Sequence, residues 1–185
     1  MNRLPEPSPG CIWLVLGQHA ARQPMLDLAA RLAQRGTLRV LDGGNSFNAY
    51  TVARSLGREL GAGDKKLENA LKRISVARSF TCYQMLTLLS ETPAAPCPTL
   101  VLDLLATFYD ENVELYESQR LLENCIEHLL RLSRLAPLVV SARPLVASQP
   151  VQDRSCLVQT LEAAAHQVLY QAGSPPVDPQ LCLPL

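Results

Sequence analysis

Net charge is the first thing this sequence lacks: seventeen Lys and Arg balance seventeen Asp and Glu across 185 residues. Neutralising phosphates normally needs a net basic face, so the composition does not mark a nucleic-acid binder, although a local basic patch stays open. Long apolar runs are missing as well. No stretch approaches the ~18 residues of a membrane span, and the run over 12–16 is too short for the apolar region of a signal peptide. These absences predict a cytoplasmic protein with no membrane partner. Metal-ligand spacing is also absent. The six cysteines, Cys11, Cys82, Cys97, Cys125, Cys156 and Cys182, form no C-x-x-C pair, and no histidine stands at ligand spacing from any of them. Without a secretory signal they read as reduced thiols that pack as small hydrophobes. His19, His128 and His166 have no local pattern that would build a nucleophilic triad, and there is no internal repeat.

What is present is an alternation of two periodicities. Short runs, apolar on both faces and therefore suited to a buried parallel sheet, lie at 12–16, 38–41, 74–77, 99–105, 138–140 and 168–170. Between them lie stretches with helical spacing. One starts at Pro24, carries Met25, Leu28, Ala29 and Leu32 on one stripe, and stops at Gly36. Others cover 49–60 (capped by Asn48 or Ser46 and broken by Gly61 and Gly63), 65–73, 81–90, 113–135 and 157–165. Strand–helix alternation predicts an α/β three-layer sandwich: a mostly parallel sheet with helices on both faces. The expected organisation is a flexible Pro-rich arm over 1–11, one domain over 12–172 and a Pro-rich tail over 173–185. The apolar end of that tail, 181–185, is a candidate docking segment.

The run Thr99-Leu100-Val101-Leu102-Asp103-Leu104-Leu105 carries a single carboxylate. In open α/β sheets the carboxyl ends of the strands form the crevice that holds ligands. The inferred fold brings Gly17 to Gln23, Asp42 to Asn45, Arg78, Asp103 to Asp110 and Ser141 to Arg143 to that one edge. If the chain has a site, it is there. Asp103 is read either as a metal ligand or as a carboxylate satisfied by donors at a strand end. Gly43, Gly44 and Asn45 are read either as a close approach for a ligand or as a turn that needs positive φ. Lys65, Lys66, Lys72, Arg73 and Arg78 form a basic cluster interrupted by Asp64 and Glu68, which reads as a solvated face.

Three stretches in order resemble the core of RecA/RadA-like recombinase ATPases. Val40-Leu41-Asp42 with a turn and Phe47 resembles that family's second strand. Ile74-Ser75-Val76-Ala77-Arg78-Ser79-Phe80-Thr81 with Tyr83-Gln84-Met85 resembles its "VARAF…HQM" stretch. Thr99 to Asp103 resembles its Walker B strand. The resemblance implies a RecA-like P-loop NTPase core over roughly residues 12 to 170, with ATP or ADP and Mg²⁺ as cofactors and Asp103 at the metal.

The pattern departs from the family where phosphate should bind. A P-loop needs glycines so that N–H groups can cradle phosphates, a lysine for β/γ charge and a hydroxyl for Mg²⁺. Here stands Gly17-Gln18-His19-Ala20-Ala21-Arg22-Gln23-Pro24, so Arg22, Gln23 and Pro24 replace the second glycine, the lysine and the hydroxyl. The family's catalytic carboxylate falls at Gly44, and its γ-phosphate sensor falls near Arg143. The resulting expectation is a non-catalytic RecA/RadA-like paralogue with a degenerate Walker A motif and no working cofactor. It would be a binding or scaffold protein in DNA repair or recombination, with a protein or a second copy as partner. The alternative is a nucleotide- or anion-binding protein, or an enzyme with an altered site, using Gly17, Gln18, His19, Arg22, Gln23, Asp42, Asn45 and Arg143. DNA is the third candidate partner. The segment that would contact it, 143–154, is short and has two basic residues, Arg143 and Arg154.

Overall fold

A computed structural model describes residues 4–60, 65–144 and 154–171. The helix-breaking Gly61 and Gly63, most of the loop after the fifth strand and the apolar tail at 181–185 lie outside the described residues. Among the described residues six parallel strands, β1 (Ile12–Leu16), β2 (Leu38–Asp42), β3 (Ile74–Arg78), β4 (Thr99–Leu102), β5 (Leu138–Ala142) and β6 (Gln167–Tyr170), form one sheet in the order β3-β2-β4-β5-β1-β6. Every neighbouring pair is parallel. The helices described between them are α1 (Arg22–Arg35), α2 (Ala49–Leu60), α3 (Lys65–Lys72), α4 (Cys82–Glu91), α5 (Leu115–Ser133) and α6 (Ser155–Ala164).

The two-residue period of a strand divides the core into two layers. Leu14, Leu16, Leu41, Val101 and Val140 point to the side covered by α4, α5 and α6. Val15, Val40, Leu100, Leu102 and Val139 point to the side covered by α1, α2 and α3. Each of these side chains is essentially fully buried, which contributes roughly 1.5–3 kcal/mol apiece. Strands that are apolar on both faces are what this arrangement requires, and the sequence supplies them. Among the described residues no helix is long and apolar enough to cross a membrane.

Two expectations change. The run over 99–105 is not all strand. β4 ends at Leu102, Asp103 takes a left-handed conformation, and Leu104–Phe108 form a 3-10 turn. Leu104, Leu105 and Phe108 are apolar because they fill the α4–α5 layer, not because they continue the sheet. The stretch just beyond that run, Thr107 to Asn112, reads from the sequence as a polar loop, but its first two residues, Thr107 and Phe108, are buried. Residues of the segment 4–10 also contact the domain. Leu4 is buried, its carbonyl accepts from Arg31 Nη2 at 2.6 Å, and Glu6 takes both Nη groups of Arg35 at 2.7 and 2.5 Å.

Candidate functional site

The turn after β2 is built around Asp42. Its carboxylate is fully buried and accepts from the Ser46 N–H at 2.9 Å, the Ser46 hydroxyl at 3.3 Å and the Phe47 N–H at 2.9 Å. Arg78, at the end of the adjacent β3, places Nε 3.5 Å from Oδ2. The positive φ expected in this turn falls on Asn45, at 49°. The glycines answer a different need. A Cβ on Gly43 would stand 2.8 Å from Met85 Cε, and one on Gly44 would stand 2.6 Å from both Cβ and Oδ2 of Asp103. No side chain, and so no carboxylate, fits at position 44 while Asp103 keeps its place.

Asp103 follows β4 with φ 48° and is almost wholly buried. Its N–H donates to the Ser141 hydroxyl at 3.0 Å, and Arg143 Nε lies 3.4 Å from Oδ2. The other oxygen, Oδ1, is buried with no hydrogen-bond partner. Burial raises this carboxyl above its usual pKa. Arg143 opposes the rise, and the nearby Asp42 charge adds to it. Tyr109 donates its hydroxyl to the Arg143 carbonyl at 2.8 Å, which fixes the backbone that carries the arginine. Burial pushes the Tyr109 phenol well up, helped by the charge of Asp103.

The loop after β1 has a different character. Gly17 is extended, its N–H donates to the Ala142 carbonyl at 3.3 Å, and a Cβ there would fall 2.9 Å from Gln171 Cβ. His19, Ala20 and Ala21 follow with φ of 52°, 53° and 50°. Three consecutive L-residues in the left-handed region cost roughly 1–2 kcal/mol each. The turn closes on itself: Ala20 N–H donates to the Gly17 carbonyl at 3.0 Å, and Arg22 N–H donates to the His19 carbonyl. Arg22 Nε reaches across to the Ser46 carbonyl at 2.9 Å, and Gln23 Nε2 donates to Asp27 at 3.0 Å. A chain of hydrogen bonds therefore runs from Arg22 through Ser46 to Asp42, which Arg78 meets as an ion pair.

The sequence-predicted residues separate into two groups. Gln18, His19, Arg22 and Gln23 line an open cleft of about 740 Å³. Asp42, Asp103 and Arg143 belong to the buried carboxylate–arginine pairs. Asn45 is exposed in the turn that joins them, and Gly17 sits beneath the loop. The cleft is completed by Asn48, Thr51 and Gln171. Asn48 was legible only as a cap for α2, a role it fills by accepting from the Thr51 N–H at 2.9 Å. Nothing local marks Gln171, which reaches the cleft because β6 lies beside β1.

Arg154, counted among the basic residues that could face DNA, is buried. Its Nη1 donates to the Phe108 carbonyl at 2.6 Å and the Ser118 hydroxyl at 2.9 Å, and its Nη2 donates to the Val113 carbonyl. It ties the start of α6 to the segment before α5 and to the first turn of α5. The basic cluster on α3 is also engaged in part: Lys72 pairs with Glu68, and Arg73 donates to the Gln34 carbonyl. Among the described residues no three His, Cys, Asp or Glu groups converge as a metal cluster.

One parallel sheet with helices on both faces, and the candidate residues gathered at its carboxyl edge, define an α/β fold. Among solved structures the chain matches a crystal structure titled as the RadB recombinase, with a TM-score of 0.64 and 15% sequence identity, over 89% of this chain and 75% of that one. At that identity the likeness is one of fold. No protein-family model matches the sequence. No curated protein matches it by sequence either.

Proposed function

We propose that this chain is a non-catalytic RecA-like paralogue that acts as a scaffold, holding a protein partner rather than hydrolysing a nucleotide. The observation that carries the reading is the loop after β1. Two of the N–H groups that a phosphate cradle would turn outward are given to the loop's own carbonyls, and Pro24 has none to give. The residues at this edge do not fit a magnesium nucleotide. Gln23 and Pro24 stand where a lysine and a hydroxyl are needed, Arg22 is tethered to Ser46, and Gly44 is packed against Asp103. Without those groups the electrostatic stabilisation on which phosphoryl transfer depends is missing. The recombinase among the structural neighbours supports placing the partner in recombination or repair. A cytoplasmic setting agrees with the free cysteines Cys11, Cys82, Cys97, Cys125 and Cys156.

One observation favours a second reading, an anion-binding site at the same edge. The cleft carries an arginine, an imidazole and several carboxamides, while the unpartnered Asp103 Oδ1 is buried and outside its lining. Titration calorimetry with ATP and ADP, with and without Mg²⁺, on wild type and Asp103→Ala separates the two. The scaffold reading expects no saturable heat in any combination. Saturable binding that requires Mg²⁺ and disappears in Asp103→Ala overturns it and establishes a nucleotide site.

A further inference from the structure

The formal charge of the chain is zero, yet the fold sorts that charge between the two helical layers. The layer α1–α3 carries eight basic and three acidic side chains, and the layer α4–α6 carries two basic and five acidic. Most of these charges are used within the molecule. Arg22, Arg31 and Arg35 bind Ser46, Leu4 and Glu6, Glu68 pairs with Lys72, Glu117 pairs with Arg120, and Arg131 donates to the carbonyls of Leu89 and Thr92. Six helix charges have no hydrogen bond or ion pair with any described residue: Arg54, Arg58 and Lys65 on the basic layer, and Glu91, Glu123 and Glu127 on the acidic one. Within the helix bounds the unused charge is thus of one sign in each layer, with the exposed Arg134 following just after the end of α5.

From this we infer that the basic layer of one copy docks on the acidic layer of the next, through α2 and α5. The exposed ridge of α2 reads Tyr50, Arg54, Arg58 at i, i+4 and i+8, and that of α5 reads Glu123, Glu127, Leu130 at i, i+4 and i+7. Tyr50 is 75% exposed and Leu130 36%. Arg54 and Arg58 stand one turn apart, about 6 Å along the axis, as do Glu123 and Glu127. Laid antiparallel, the ridges place Tyr50 over Leu130, Arg54 on Glu127 and Arg58 on Glu123. The second copy is favoured over a polyanion because it engages both faces. A nucleic acid would use the basic layer and leave the acidic ridge unanswered. The two ridges lie on opposite sides of one sheet, so the contact is heterologous and repeats from copy to copy. Two helices bury little area, so the association is weak and its exposed ion pairs are screened by salt. The inference rests on the scaffold reading only in taking the partner to be protein.

The test is sedimentation velocity without nucleotide, at about 50 and about 500 mM salt, which spans the range over which exposed pairs become screened. Wild type should form species beyond the dimer at low salt, with the association constant falling roughly tenfold or more at high salt. Arg54→Gln/Arg58→Gln should be monomeric, and so should Glu123→Gln/Glu127→Gln. All four changes are on exposed positions, and circular dichroism melts matching wild type show that the variants are folded. An equimolar mixture keeps one good face of each kind and should give a 1:1 heterodimer that grows no further. Wild type that stays monomeric at low salt overturns the inference, as do variants that assemble like wild type. Monomeric wild type whose binding to single-stranded DNA depends on Arg54 and Arg58 overturns it in favour of a polyanion. Because no nucleotide is present, a monomeric result removes this interface without touching the calorimetric test of the scaffold reading.

Discussion

Asp42 and Asp103 stand at the ends of neighbouring parallel strands, and each meets an arginine Nε at nearly the same distance, 3.5 and 3.4 Å. Both are buried. They differ in what surrounds the carboxylate. The chain after Asp42 curls back and gives it two backbone N–H groups and a hydroxyl. The chain after Asp103 turns left-handed into a buried 3-10 turn, and nothing reaches Oδ1. A carboxylate with three local donors fastens a loop. A carboxylate with an unused buried oxygen holds its proton more tightly and keeps capacity for another group. The same side chain, at the same sheet edge with the same kind of partner, thus becomes a fastener in one place and a reserve in the other.

The comparison can be broken most severely at Asp42. Asp42→Ala removes the acceptor for two backbone N–H groups and a buried partner of Arg78, and should cost about 3 kcal/mol in urea denaturation. A loss below about 1 kcal/mol would show that the turn is held by other contacts. Gly44→Ala comes next. A methyl placed 2.6 Å from Asp103 Cβ must displace one of the two segments, at a cost of about 2 kcal/mol by the same assay. Asp103→Asn gives the smallest change and the most informative one. Because folding raises the Asp103 pKa, its contribution to stability is fully present below the ordinary carboxylate value and is lost as pH rises through the raised one. Thermal melts across about pH 4 to 8 should therefore show wild type losing stability with rising pH relative to Asp103→Asn. A pH dependence identical in the two proteins would mean that Asp103 is ordinary. Calorimetry then asks whether the reserve at Asp103 has a ligand.

Much of this edge was legible residue by residue. Asp42, Asp103 and Arg143 were picked out because a carboxylate or cation that ends an apolar run in an α/β chain lands at the carboxyl edge. Their division into pairs was not legible, because it depends on β2 lying between β3 and β4, and strand order is not a local property. Gly43, Gly44 and Asn45 together read either as a close approach for a ligand or as a turn that needs positive φ. The positive φ falls on Asn45, and the glycines are needed for the close approach of Met85 and Asp103, residues about 40 and 60 positions away. Arg154 looked like a surface base because a lone arginine in a polar stretch usually is one, and its three acceptors come from a segment more than 30 residues earlier. His166 accepts from the Ile12 N–H at 3.1 Å and so serves the backbone across β1.

By itself, the sequence determined where the strands and helices run and that both faces of the sheet are covered. Runs apolar on both faces and stripes at helical spacing are local consequences of side-chain period and burial. Tertiary structure alone decided which carboxylate is satisfied, which glycine is crowded, and how a chain of zero net charge is sorted into a basic and an acidic layer. Each of these depends on which distant residues the strand order brings within a few ångströms, and pattern along the chain does not encode that distance.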